Sequence, residues 1–315
     1  MSEESVQITS EIDRASPVML TGASGFVGSH VLRELLRHGH RVHALVHRTG
    51  KLKVHDRAIT EFAGSITDPQ SLAPALAGCR SVIHLVGIIK EKRQATFERI
   101  HVEGTRNLLA ASKAAGTVER FVHMSALGSR PNAPARYHQS KWAAEELVRH
   151  AGIPFVIFRP SLIHGPDGEF TMMLRNWSHG KAAPYFFMPY FGSGFFGQRN
   201  THRIQPVHVD DVAMAFAGAL TNDLATNHTY DIAGPSSYSW PDMLYIASMR
   251  FRGKPKRTLG IPVWYAKILA SLPLPLPFNK DQILMSQEDN TADIAPLLRD
   301  FSDLAPKNFE ASLGK

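Results

Sequence analysis

Three glycines within seven residues constrain this chain more than any other feature. A short apolar run, Val18-Met19-Leu20-Thr21, leads into Gly22-Ala23-Ser24-Gly25-Phe26-Val27-Gly28, and a helical pattern continues from Ser29 to Arg37. Strand, tight turn and helix in that order give each glycine a separate task. Gly22 permits the turn, Gly25 lets backbone approach a pyrophosphate with no Cβ in the way, and Gly28 lets the helix lie close to the sheet. The helix start then offers free N–H groups and about half a positive charge to an anion. The predicted ligand is a dinucleotide, held on Gly22, Ser24, Gly25, Phe26, Val27 and Gly28.

The surrounding pattern supports that reading. Val18–Thr21, Arg41–Val46, Ser81–Val86, Arg120–Ser125 and Phe155–Arg159 read as buried strands, with helical patterns such as Val27–Arg37 and Glu98–Ala115 between them. Repeated strand–helix–strand units imply an α/β fold, a doubly wound parallel sheet of the Rossmann type with helices on both faces. After Gly165 the pattern loosens. Lys181–Asn200, rich in aromatics, Gly and Pro, reads as loops. Arg203–Val209 reads as a strand, Asp210–Leu220 as a helix on an acidic cap, and Thr229–Ile232 as a short strand. The expected organisation is a loose tail over 1–16, a nucleotide-binding domain over 17–165, and a small C-terminal substrate lobe over 166–315 from which about 203–232 returns to the first domain.

With 43% hydrophobic and 20% charged residues the chain can bury a sizeable core. Its net charge of +7 reads as spread along the chain, with no Lys/Arg run that marks a nucleic-acid arm. Cys79 is the one cysteine, which suits a reducing compartment, and a soluble, cytoplasmic protein is expected. The first 16 residues lack the basic start and apolar core of a secretory signal. No membrane span is expected: the nearest candidate, Ile261–Phe278, is broken by Lys267 and four prolines; a pocket cap or a place on a membrane surface are its two readings, and its mixed pattern is not that of an amphipathic anchor. Sixteen histidines include His38, His40, His43 and His47, but their spacing straddles a turn and both faces of a strand, so no metal site is expected.

The end of the second strand bears on the choice of dinucleotide. NAD-preferring folds place an acid there for the ribose hydroxyls, whereas this chain has His47-Arg48-Thr49-Gly50-Lys51. Arg48 suits a 2′-phosphate that an acid would repel, so NADP(H) is expected ahead of NAD(H). Catalytic candidates come from Tyr137-His138-Gln139-Ser140-Lys141, where a helix puts Lys141 on the face of Tyr137. Lowering a tyrosine pKa by about 3 needs roughly 4 kcal/mol, about what a cation some 4 Å away supplies at an effective dielectric near 20. Ser125 ends the fourth apolar strand, at the sheet edge where ligands bind, and could hold the reacting oxygen.

The glycine turn, Ser125 and the Tyr137/Lys141 pair resemble the short-chain dehydrogenase/reductase superfamily. Ile83-His84-Leu85-Val86-Gly87, Val102–Leu108, Phe158-Arg159-Pro160-Ser161 and Pro206–Val212 resemble its extended, epimerase/dehydratase-like branch. More narrowly, HLVGIIKE, FERIHVEGTRNLL, RFVHMSALGS, YHQSKWAAEELV and FRPSLIHGP are similar to the nucleotide-binding accessory subunit of respiratory complex I. The resemblance implies Tyr137 as acid/base, Lys141 as its partner and a ribose ligand, and Ser125 as the residue orienting substrate. It further implies His84, Leu85, Val86 and Gly87 along the adenine and ribose, and Phe158, Arg159 and Pro160 near the nicotinamide. The activity implied is hydride exchange with a carbonyl or alcohol, on a small substrate that the aromatics from Trp177 to Phe196 suggest is apolar or quinone-like. A non-catalytic NADP(H)-holding subunit, a nucleotide-sugar epimerase/dehydratase and a nucleic-acid-associated relative of the same fold are the alternatives. His101, where many extended members carry asparagine, and Gly64-Ser65, where many carry an acid, depart from the epimerase pattern.

Overall fold

The computed structural model describes residues 16–200, 202–272 and 278–314. The tail over 1–15 and the prolines at 273, 275 and 277 lie outside these residues.

Seven parallel strands make the central sheet: β1 (Val18–Thr21), β2 (Val42–Val46), β3 (Ile59–Ala63), β4 (Ser81–His84), β5 (Arg120–Met124), β6 (Phe155–Pro160) and β11 (His228–Ile232). They lie in the order β3-β2-β1-β4-β5-β6-β11, so the direction of winding reverses between β1 and β4. Every residue of β1 is buried, as expected of a strand covered on both faces. On one face, α1 (Phe26–Arg37) and α6 (Val209–Gly218) bury Val31, Leu35, Val212 and Phe216. On the other, α2 (Leu72–Leu76), α3 (Gly104–Ala115) and α4 (Arg136–Arg149) bury Leu72, Leu108 and Val148 against Phe121. A reversal of this kind opens a crevice beyond the strands' carboxyl ends, because helices on either side leave in opposite directions.

A third core belongs to the later part of the chain. There α5 (Glu169–His179) and α7 (Trp240–Arg252) enclose Leu174, Met243 and Leu244 with Met188. Met188 begins β8 (Met188–Gly192), which pairs with β13 (Thr258–Pro262) in parallel. From sequence alone this stretch, rich in Gly, Pro and aromatics, reads as loops. Its strand exists through a partner some seventy residues on, and through glycines: a Cβ on Gly260 would sit 1.8 Å from the Gly197 carbonyl oxygen.

Other boundaries also differ from expectation. Arg203–Val209 is not one strand. Pro206 cannot donate to a ladder, and the run splits into β9 (Arg203–Ile204) and β10 (Val207–His208), which pair with different partners. The cap of α6 is His208, whose Nδ1 accepts the Asp210 N–H at 3.2 Å, not an acid. Glu98–Glu103 is a π-helical turn ahead of α3. Asp68 caps the short helical turn Pro69–Ser71. Among the described residues no helix is long and apolar enough to cross a membrane.

Candidate functional site

The glycine turn lies at the reversal point. Gly22 has φ +80°, and its backbone faces Leu85 and Val86 at the end of β4. A Cβ on Gly28 would fall 2.0 Å from the Gly22 carbonyl oxygen, so the first turn of α1 rests directly on the loop it leaves. The first intrahelical bond runs from Ser29 N–H to Gly25 C=O at 3.0 Å, and the preceding N–H groups, those of Phe26, Val27 and Gly28, have no helical acceptor. Ser24 and Gly25 are exposed. This is a cradle for an anion, seated on a helix start that a side chain at Gly28 would push off the turn, and the residues fit a dinucleotide's pyrophosphate.

His47 and Arg48 lie exposed just past β2. A carboxylate overlooked in the sequence, Glu61 on β3, reaches this loop and accepts the Gly50 N–H at 2.8 Å. On the far side of the crevice Gly87 is exposed and Val86 half-buried. His84 does not line the crevice: it is buried, with Nδ1 accepting from Thr21 Oγ1 at 2.7 Å and Nε2 donating to Thr105 Oγ1 at 3.1 Å. That tautomer follows because the Thr105 hydroxyl donates to the His101 carbonyl at 2.6 Å. Burial first, then the Lys141 cation, hold His84 down at about 3.

Helix α4 brings Tyr137 and Lys141 to the same edge. Lys141 Nζ donates to the Met124 carbonyl at the end of β5, at 2.9 Å, and would lie 3.0 Å from a Cβ on Gly87. The half-buried Tyr137 ring sits among Phe97, His101 and His138, with centroids 5.9, 5.6 and 5.4 Å away. The electrostatics correct the expected activation. Burial pushes Tyr137 up to about 12, and burial lowers Lys141 to about 8 against the upward pull of Glu145. Burial accounts for the shift of the phenol, and Lys141 does not offset it.

His101 is the residue that the sequence reading noted only as a departure. Its Nε2 accepts the Ile88 N–H at 3.0 Å and its Nδ1 donates to Ser140 Oγ at 2.8 Å, while Ser140 donates to the Tyr137 carbonyl at 2.7 Å. His101 thus ties the loop after β4 to the first turn of α4. Burial, and next the Lys141 cation, hold it down at about 2, so it stays neutral.

Ser125 and Phe158 point elsewhere than expected. Ser125 Oγ donates to Glu145 Oε1 at 2.5 Å. Glu145, fully buried, also receives Arg159 at 2.8 and 2.7 Å and Arg149 at 2.5 Å. Side chains alternate along β6, so turning Arg159 toward Glu145 turns Phe158 away. Phe158 is wholly buried against Phe216, 4.8 Å between centroids, and Phe301, 5.7 Å. Pro160 is buried too, its carbonyl accepting the Leu127 N–H at 3.0 Å. Glu145 was missed, though a signal existed: Tyr137, Lys141 and Glu145 repeat every four residues on one helix face.

Lys141 supplies a stability test. Its pKa falls from 10.5 to about 8 on folding, which corresponds to a penalty of about 3 kcal/mol below pH 8. Between pH 8 and 10.5 the unfolded chain binds the extra proton, so stability rises with pH; Tyr137, raised from 10 to about 12, reverses the trend above pH 10. Lys141→Met is expected to stabilise the ligand-free protein at pH 7 by about 1–3 kcal/mol, the lost bond to Met124 offsetting part of the gain, and to flatten the rise between pH 8 and 10. Urea melts at pH 7 and 9.5 measure both.

Relatives share this architecture. Ceramide reductase of Caulobacter vibrioides is 30% identical over 249 residues, covering 78% of this chain and 73% of that protein. The mitochondrial NADH dehydrogenase (ubiquinone) 1 alpha subcomplex subunit 9 of Arabidopsis thaliana is 28% identical over 305 residues, 90% of this chain and 73% of that protein. Among solved structures, an NADPH-dependent quinone oxidoreductase of Escherichia coli complexed with NADPH superposes with a TM-score of 0.72 at 19% identity, covering 94% of this chain and 98% of that one. A UDP-glucose 4-epimerase of Thermotoga maritima gives 0.70 at 19% identity, covering 94% and 96%; at these identities the likeness is one of fold. Residues 18–233 match the model of the NAD dependent epimerase/dehydratase family, and the chain belongs to that family.

Proposed function

We propose that the chain is an NAD(P)-dependent oxidoreductase acting on a carbonyl or alcohol of an apolar small molecule. The observation that carries this is the Tyr137/Lys141 pair, presented by one helix at the carboxyl edge of the sheet beside the glycine cradle, with Lys141 Nζ fixed by Met124. A bound nicotinamide would supply or accept the hydride. Burial keeps the Tyr137 hydroxyl protonated at pH 7, so in the carbonyl-reducing direction it is the group that would donate the proton. Lys141 would hold the ribose, as the family resemblance implies. Ceramide reductase among the relatives supports an apolar substrate. Residues 17–165, with the returning 203–232, form the nucleotide unit in this reading, and the remainder the substrate lobe. The cytoplasm suits its single cysteine, Cys79, a buried thiol pushed up to about 12 and so inert.

Tyr137→Phe is expected to lower turnover of a carbonyl substrate by about a hundredfold or more, while dinucleotide affinity stays within about threefold. Unchanged turnover would remove Tyr137 from the reaction. A second reading has its own observation. Ser125 is committed to Glu145, so the group expected to orient substrate is turned inward, as suits a protein that holds a dinucleotide without reacting it. Tight nucleotide binding with no turnover across aldehydes, ketones and quinones would establish that reading.

For the nucleotide, exposed Arg48 and His47 past β2 support NADP(H). A charge-assisted bond to a 2′-phosphate contributes about 1.5–3 kcal/mol, so Arg48→Ala is expected to weaken NADPH binding about tenfold or more and NADH binding hardly at all. Calorimetric titration with both nucleotides tests this. Equal loss for both would assign the site to NAD(H), with Glu61 the nearby acid.

A further inference from the structure

The positive charge is not spread along the chain. Residues 170–202 and 243–280 together hold ten Lys and Arg and no Asp or Glu, more than the whole net charge of +7. These two stretches build the lobe around β8 and β13. The same lobe carries an apolar surface left exposed by the described residues. Phe195 and Phe196, 71% and 73% exposed, occupy the tip of a hairpin closed by reciprocal backbone bonds between Ser193 and Arg199. Phe195 stacks on Trp264 at 5.9 Å, and the Trp264 indole N–H donates to the Phe195 carbonyl at 3.2 Å. Trp264 opens α8 (Val263–Leu269) with Tyr265, and Ile268 follows one turn later with Leu272 just beyond; these four are 45–54% exposed. The Gly197 carbonyl presses against Gly260, so the hairpin cannot fold away from α8 without losing its seat on β13.

We propose that this face docks on the surface of an anionic lipid bilayer. Three features point to lipid over a protein partner. The exposed residues are aromatic and aliphatic, and Trp and Tyr carry the polar tips that suit a headgroup boundary. Lys267 lies on α8 itself and Arg199 at the base of the hairpin, both exposed, so cations border the apolar tip. No acid from the two basic stretches opposes a negative surface. Residues 278–281 bridge this lobe and the candidate site. Phe278 packs on Phe191 at 5.1 Å, Asn279 Nδ2 donates to the Ile89 carbonyl at 3.3 Å, and Asp281 accepts the Tyr137 N–H at 3.4 Å. A face seated on a bilayer would therefore place lipid-dissolved molecules beside the rim near Tyr137. The docking does not depend on whether Tyr137 reacts.

Flotation of the full chain with vesicles decides it. Vesicles of phosphatidylcholine mixed with phosphatidylserine are expected to bind about tenfold or more of what phosphatidylcholine alone binds, with the difference shrinking as salt is raised. The variant F195S/F196S is expected to lose about tenfold or more in vesicle binding, with its dinucleotide affinity unchanged as proof of folding. Three outcomes overturn the proposal: no flotation of the native chain at physiological salt, equal flotation of the variant, or a native dimer that F195S/F196S converts to monomer while neither floats.

Discussion

Gly28→Ala is expected to weaken dinucleotide binding by about a hundredfold or more and to lower stability by about 3 kcal/mol. One methyl has this effect because of where it falls. The new Cβ meets the Gly22 carbonyl oxygen at 2.0 Å, the Gly22 carbonyl carbon at 2.7 Å and Ala23 Cα at 2.9 Å, all of them backbone. Backbone cannot rotate aside as a side chain does. Either α1 lifts from the sheet, taking Val31 and Leu35 with it, or the turn opens and the N–H groups of the helix start lose their common direction. Gly39 gives the internal control. It follows the same helix, has φ +77°, and its added Cβ meets nothing within 4 Å. Gly39→Ala should cost only the about 1–2 kcal/mol of a left-handed alanine and leave nucleotide affinity alone. Denaturant melts with titrations on the two variants separate packing from backbone strain. Equal nucleotide affinity in both would show that the turn is not the cradle.

The inner strands of the central sheet were legible because a strand buried on both faces is largely apolar, whereas the half-exposed edge strand β3, Ile59–Ala63, was not. Val18–Thr21, Ser81–His84 and Phe155–Pro160 advertise themselves without knowledge of their neighbours. The same rule fails for β8, whose Pro189 and Gly192 look like loop residues and whose pairing depends on a glycine contact with a distant segment. Within the site, the positions at strand ends were readable and the directions of their side chains were not. Phe158 and Arg159 are neighbours, and only a buried acid on α4 decides which of them faces that helix. Tyr137 shows the same limit in energy. Spacing placed a cation on its helix face, but the cost of burying both groups depends on Phe97, His101 and the strand ends, which come from elsewhere in the chain. The charge asymmetry of the lobe was readable in principle. Counting over the whole chain averaged it away.

Glu145→Ala is expected to destabilise the protein by about 3–5 kcal/mol, more than the loss of either of its partner arginines. Glu145 is fully buried and accepts from Ser125, Arg149 and both Arg159 nitrogens that reach it. Its negative charge is what permits the Arg159 guanidinium to sit half-enclosed under the sheet edge, where hydrogen bonding to Glu145 holds its pKa up against burial. Removing the carboxylate leaves two cations close together, Arg149 retaining Glu146 at 2.7 Å, whereas removing one arginine leaves Glu145 with the other. For a chain of this size about 1 kcal/mol moves the melting midpoint by roughly 2–4 °C, so a fall on the order of 10 °C is expected. Ser125→Ala removes one donor to an ionised acceptor and should cost about 1.5–3 kcal/mol, less than the loss of Glu145. The comparison also weighs the two readings of Ser125. If its task is to orient substrate, Ser125→Ala lowers kcat well beyond what its stability loss explains. If its task is to complete the Glu145 network, kcat is kept, and a double-mutant cycle with Glu145→Gln shows a coupling near the cost of the single hydrogen bond.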